Sequence, residues 1–172
     1  DVPSDGIVSG GTTADSNATK FPAFTGKDLD GNDVSSDKLF GGNAFTVVNF
    51  WFTTCKPCVG ELGDLDALHK EAAGKGGAVV GINAFTLGGD AAAIADAKDV
   101  LTKSGATYQN VYFDADSEAG KFTENVYAYP TTYVVDRNGN IVGDPIVGAI
   151  TGDGQMEALQ ALIDTALAND KG

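Results

Sequence analysis

Residues 45–61 read FTVVNFWFTTCKPCVGE, and the order of residue types in this stretch decides the fold. Phe45 to Phe52 is a continuous apolar run rich in β-branched and aromatic side chains. Its length and content predict a central strand buried on both faces. The strand ends at Thr53-Thr54-Cys55, and a helix is predicted from about Pro57 to Ala73. Val59, Leu62, Leu65 and Leu68 recur along it at helical spacing, and Gly74, Gly76 and Gly77 stop it. Cys55 therefore falls at a strand-to-helix junction, with Cys58 one turn further in.

That placement carries chemistry. The first N–H groups of a helix lack partners within it and hold roughly half a positive charge. A thiolate at Cys55 is favoured there, which predicts a thiol pKa below about 8.5. Lys56 adds positive charge, and Pro57 suits a first helical turn, where its missing N–H is not needed. Cys58 is expected to be more buried and less readily ionised. The asymmetry predicts that Cys55 attacks a disulfide and Cys58 resolves the mixed disulfide. A merely structural link between the two would close so short a loop that it would stabilise little. Glu61 follows Cys58 by three residues and shares its helix face. It is either a carboxyl near the Cys58 sulfur, raising that thiol's pKa and taking its proton, or a solvated first-turn residue complementing the helix dipole.

Outward from this stretch, the chain alternates strands and helices. Phe24, Leu29 and Val34 surround Asp30-Gly31-Asn32, which reads as a β-hairpin. Strands are predicted at residues 78–85, 108–113 and 131–135, and helices at 90–103, 117–126 and 153–168. Asp136 to Asn140 is a hairpin turn centred on Asn138-Gly139, with residues 141–150 as its returning arm. His69, late in the first long helix, reads as a surface residue pointing away from Cys55. Residues 1–20 read as a flexible tether and 21–170 as one domain. The sum predicts an α/β fold with a central mixed sheet flanked by helices.

Composition excludes several classes. With 11 Lys and Arg against 24 Asp and Glu, the net charge of −13 repels nucleic acid and anionic lipid surfaces. No apolar run reaches the length of a transmembrane helix. Cys55 and Cys58 are the only cysteines and His69 the only histidine, too few for a structural zinc site, so no metal is expected. The chain begins at Asp1 in a polar stretch, as a processed protein would. Val59 after Cys58 excludes haem attachment of the C-x-x-C-H type.

The run VVNFWFTTCKPCVGE at residues 47–61, followed by Tyr129-Pro130-Thr131-Thr132 and Asp136-Arg137-Asn138-Gly139, resembles the TlpA/ResA-like branch of the thioredoxin superfamily over about residues 21–168. The resemblance implies a thioredoxin-like fold with an added N-terminal hairpin and a central insertion between Phe85 and Tyr112. It implies Cys55 as nucleophile, Cys58 as resolving cysteine, Glu61 as the acidic residue after the pair, and Pro130 as a cis-proline facing the disulfide. Residue alone, an ordinary trans Pro130 at a strand start is the alternative. Asn49 stands where thioredoxin itself has a buried Asp, a feature that ResA-like proteins also lack. Trp51, Thr54, Lys56, Pro57, Tyr129 and Pro130 are the candidates for contact with substrate. Thr54 departs from the Trp or similar residue the family places before its first cysteine, and Leu62-Gly63 from the Pro that many members carry.

By the same resemblance the protein is expected outside the cytoplasmic membrane, held by a lipid or N-terminal anchor on the tether. It would reduce cysteines of apocytochrome c or other secreted proteins and receive electrons from a membrane protein of the CcdA/DsbD type. Separately, a monomer without a cofactor is expected. Two other readings compete. A peroxiredoxin-like peroxidase would need Thr three residues before its reactive cysteine, where this chain has Phe52. A non-catalytic thioredoxin-fold binding module would not need both cysteines, Pro57 and Pro130 intact.

Overall fold

The structure, a computed structural model, describes residues 19–170. The expected tether at 1–20 lies outside these except for its last two residues. Thr19 and Lys20 run beside the C-terminal hairpin, where Ile141 N donates to the Thr19 carbonyl (2.8 Å) and Lys20 bridges to Asn140.

The predicted central strand is β3 (Phe45–Trp51), and all seven of its residues are buried. It pairs in parallel with β4 (Gly77–Asn83) and antiparallel with β6 (Thr131–Asp136), which also carries the short β7 (Ile146–Val147). This gives a four-stranded mixed sheet of order β4-β3-β6-β7. Alternation along β3 sends Val47 and Trp51 into one core layer and Val48 and Phe50 into the other. The first layer is roofed by α3 (Leu62–Ala73), α4 (Ala91–Lys103) and α6 (Gln155–Asn169) through Leu65, Leu101 and Leu159. The second is an aromatic layer in which Phe21, Phe24, Phe40, Phe50, Phe113 and Phe122 meet at centroid distances of 5.0–6.3 Å. Full burial of a ring of that size contributes about 1.5–3 kcal/mol.

The expected hairpin is present as β1 (Thr25–Asp28) and β2 (Asp33–Ser35), with Gly31 at positive φ in its turn. The Asp28 carboxylate accepts the Asp30 and Asn32 N–H groups and so holds the turn closed. β1 also pairs with β5 (Val111–Tyr112), making a second, three-stranded sheet. The expected strand over 108–113 is thus divided. Gln109 and Asn110 serve β4 at Gly81, while Val111 and Tyr112 serve β1. A short helix α1 (Ser36–Gly41), capped by Ser35, was not anticipated.

Three further expectations are corrected. The helix over 57–73 is two helices, α2 (Lys56–Gly60) and α3, meeting at Glu61, whose backbone closes one and opens the other. Gly60 and Gly63 flank the break and weaken continuous helix. The returning arm over 141–150 is not one strand. Ile141 bridges Val135, then Gly143 at φ +65 and Pro145, which has no N–H to donate, interrupt pairing until β7. His69 is half-buried rather than free on the surface, because its Nδ1 accepts the Val79 N–H of β4 at 3.0 Å. The remaining helix is α5 (Glu118–Glu124), inside the predicted 117–126.

Candidate active site

Cys55 is the N-cap of α2. Its backbone is extended, and its Sγ accepts the Cys58 N–H at 3.3 Å. The two sulfurs are joined in a disulfide, with the Cα atoms 5.2 Å apart. Cys55 retains 7% exposure and Cys58 none, which is the predicted asymmetry. The loop that carries Cys55 is closed by its own N–H bonding the Phe52 carbonyl (3.1 Å), and it is tied to β4 by Asn83 Nδ2 donating to Thr53 Oγ1 (2.9 Å).

Behind the pair lies a buried polar group that the sequence left undecided between two forms. Glu61 is fully buried, not solvated. Its Oε1 accepts the Ile150 N–H at 2.7 Å and its Oε2 accepts Asn49 Nδ2 at 2.9 Å. The same Asn49 nitrogen lies 3.0 Å from Thr132 Oγ1 on β6. Burial pushes the Glu61 carboxyl above the ordinary value, Asp64 adds to that push, and the two hydrogen bonds oppose it. Asn49 Oδ1 is buried with no hydrogen-bond partner among the described residues. A buried carboxyl of raised pKa thus lies one turn beyond an inaccessible thiol.

The Tyr129–Pro130 bond is cis. β3 and β6 pair Phe50 with Thr131, so extending the register sets Pro130 opposite Trp51 and Tyr129 opposite Phe52. Pro130 is buried there, and its carbonyl accepts the Gly148 N–H at 2.8 Å. Thr54, Lys56 and Pro57 are exposed around Cys55. Trp51 is corrected as a substrate contact: it is fully buried, and its Nε1 donates to Asn110 Oδ1 at 2.8 Å. Asn110 reaches across Gly81, where any side chain would collide with its amide. The supporting residues Asn83, Asn110 and Ile150 were not singled out in the sequence. The first two were legible only as Asn in or beside apolar strands, and Ile150 acts through its backbone.

A two-cysteine exchange site at the start of a helix, on a mixed sheet of this topology, defines a thiol–disulfide oxidoreductase of the thioredoxin superfamily. The chain belongs to the AhpC/TSA family, which it matches over residues 18–143. It is 33% identical over 132 residues to the thioredoxin-like protein YneN of Bacillus subtilis (strain 168), covering 76% of this chain and 71% of that one. It is 26% identical over 133 residues to the thiol-disulfide oxidoreductase ResA of Bacillus thuringiensis (strain Al Hakam), covering 76% and 69%. Among solved structures, a thiol:disulfide interchange protein of the thioredoxin family from Chlorobium tepidum TLS superposes with TM-score 0.62 at 26% identity. That match covers 87% of this chain and 97% of the other. The TlpA/ResA-like resemblance and the fold expected from it are thereby shown.

Proposed function

We propose that this protein reduces disulfides of other proteins outside the cytoplasmic membrane, with Cys55 as nucleophile, Cys58 as resolving cysteine and Glu61 as the proton acceptor for Cys58. The observation that carries the reading is the position of Cys55 Sγ, which accepts an N–H at the mouth of α2 while Cys58 lies fully buried behind it. In the dithiol form the Cys55 thiolate attacks a substrate disulfide. A mixed disulfide forms and the first substrate thiolate leaves, to be protonated by solvent. Glu61 takes the Cys58 proton, and the Cys58 thiolate attacks Cys55 Sγ. The second substrate thiolate leaves, and the Cys55–Cys58 disulfide remains. Two electrons have passed to the substrate, and an external dithiol must return them.

An anchor on the N-terminal tether, reduction by a membrane donor of the CcdA/DsbD type, and a role in cytochrome c maturation belong to the same proposal. The similarity to ResA supports them. No described helix is long and apolar enough to cross a membrane. Thr54, Lys56, Pro57, Tyr129 and Pro130 are proposed to meet the substrate. A peroxide reaction is not favoured despite the family name, because Phe52, packed between two other rings, occupies the place where that chemistry needs Thr.

Insulin reduction by the dithiol form tests the proposal, with loss of turnover expected in Cys55→Ser. Undiminished turnover in that variant would end it. A reduction potential near about −270 mV or lower is expected for a reductase, and one near about −120 mV would reverse the direction of electron flow.

A further inference from the structure

The ends of three neighbouring strands, β4, β3 and β6, each carry an aromatic residue at the cysteine end of the sheet. Phe52 follows β3, Phe85 follows β4 by two residues, and Tyr129 precedes β6 by two. Their rings form a row, with Phe52 5.1 Å from Phe85 and 5.3 Å from Tyr129. The far end of the row is exposed, since Phe85 keeps 49% of its surface in solvent. The backbone that presents Phe85 is held in place. Phe85 N donates to Asn83 Oδ1 (2.8 Å), and the fully buried Thr86 donates its hydroxyl to the Asn83 carbonyl (2.9 Å). Asn83 is itself fully buried and holds Thr53 of the cysteine loop. At the other end, Tyr129 is fixed by its hydroxyl donating to the Thr123 carbonyl (3.2 Å). Isolated apolar residues on a surface need no explanation, but a row fixed at both ends beside a reactive sulfur does.

We propose that Phe85, Phe52 and Tyr129 form a specificity platform that selects a polypeptide disulfide with an aromatic or large aliphatic residue beside its attacked cysteine. The proposal rests on the exchange reading above and names the substrate class of that site. Its occupant follows from the chemistry. The mixed disulfide fixes the partner's cysteine at Cys55, whose N–H is bonded to the Phe52 carbonyl (3.1 Å). An extended chain advances about 3.3 Å per residue, so its next one or two residues fall on the ring row. The net charge of −13 favours a basic segment as the bearer.

The test uses two basic peptide disulfides that differ only in Phe or Gly next to the attacked cysteine. Wild type is expected to favour the Phe peptide in kcat/KM by about three- to tenfold, the size of one aromatic contact. Phe85→Ser should bring that ratio to within about twofold of unity, and Phe85→Tyr should keep it. The Cys55–Cys58 potential should stay at the wild-type value in both. Equal turnover of the two peptides by wild type, an unchanged ratio in Phe85→Ser, or collapse in both variants alike would overturn the platform while leaving the exchange reading standing. A wild type that reduces neither peptide would overturn the exchange reading itself, and the platform with it.

Discussion

Replacing Glu61 by Gln tests the buried carboxyl without changing its shape. In wild type both oxygens accept, from Ile150 N and from Asn49 Nδ2. An amide offers one acceptor and sets its own N–H groups against the other donor. A buried donor left unmatched costs about 1–3 kcal/mol. At low pH, where Glu61 is neutral in both folded and unfolded chains, its hydroxyl oxygen can still accept by turning its own proton aside, which an amide nitrogen cannot do, so the variant is expected to be less stable by up to that amount. The gap should then change with pH in one direction. The folded carboxyl has its pKa raised by burial, so the unfolded chain ionises first as pH rises past about 4.3. Ionisation stabilises the unfolded wild type but does nothing to the Gln variant. The advantage of wild type is thus complete below the unfolded pKa, shrinks as pH rises toward the folded pKa, and is constant beyond it. Each unit between the two pKa values removes about 1.4 kcal/mol. Urea unfolding of the oxidised protein from pH 4 to 8 reads the gap, with Trp51 as the sole tryptophan reporter. Comparing two chains that differ only at this carboxyl cancels the other acidic residues. A gap that stays flat or widens with pH would refute the raised pKa, and with it Glu61 as the proton acceptor for Cys58.

Cys58→Ser should arrest exchange at a mixed disulfide on Cys55, seen by mass spectrometry as an adduct of the substrate mass, and failure to trap one would contradict the assigned order of attack. Asp66→Ala should lose about 2–3 kcal/mol, because its Oδ1 accepts both the Thr107 N–H and hydroxyl at 2.7 Å. A change within 0.5 kcal/mol, the ordinary range about surface sites, would show that those bonds contribute little. The Asp66 carboxyl is raised by burial but lowered more by Thr107 and Lys70, to about 2. Its contribution should be present above the unfolded value near 3.9 and be lost as pH falls through about 2, a trend that the Asp66→Asn comparison should lack. Gly81→Ala should cost about 1–3 kcal/mol by displacing Asn110, and it should shift Trp51 emission by disturbing the Nε1 bond. Unaltered emission would mean that Asn110 accommodates the methyl group without moving.

Much of the function was legible because it is local. The apolar run, the junction and the two cysteines three apart lie within one stretch, and strand, helix start and thiol chemistry are set by neighbours along the chain. The hairpin turns were legible for the same reason, through Gly31 and Gly139 at positive φ and Asp28 and Asp136 accepting their own turn's N–H groups. The sequence pattern also specified a strand buried on both faces, and hence a sheet with helices on each side.

Tertiary structure decided what depends on residues far apart. Whether Glu61 faces solvent or core turns on Ile150, 89 residues away, and on Asn49 across the helix–sheet interface. The expected single helix is divided in two at this same residue. Trp51 reads as a substrate contact by its place beside Cys55, yet strand alternation and Asn110 draw it into the core. The ring row exists only because three strands end at the same edge. Propensity and motif spacing act over a few residues, whereas desolvation and hydrogen-bond matching act on whatever the fold brings together.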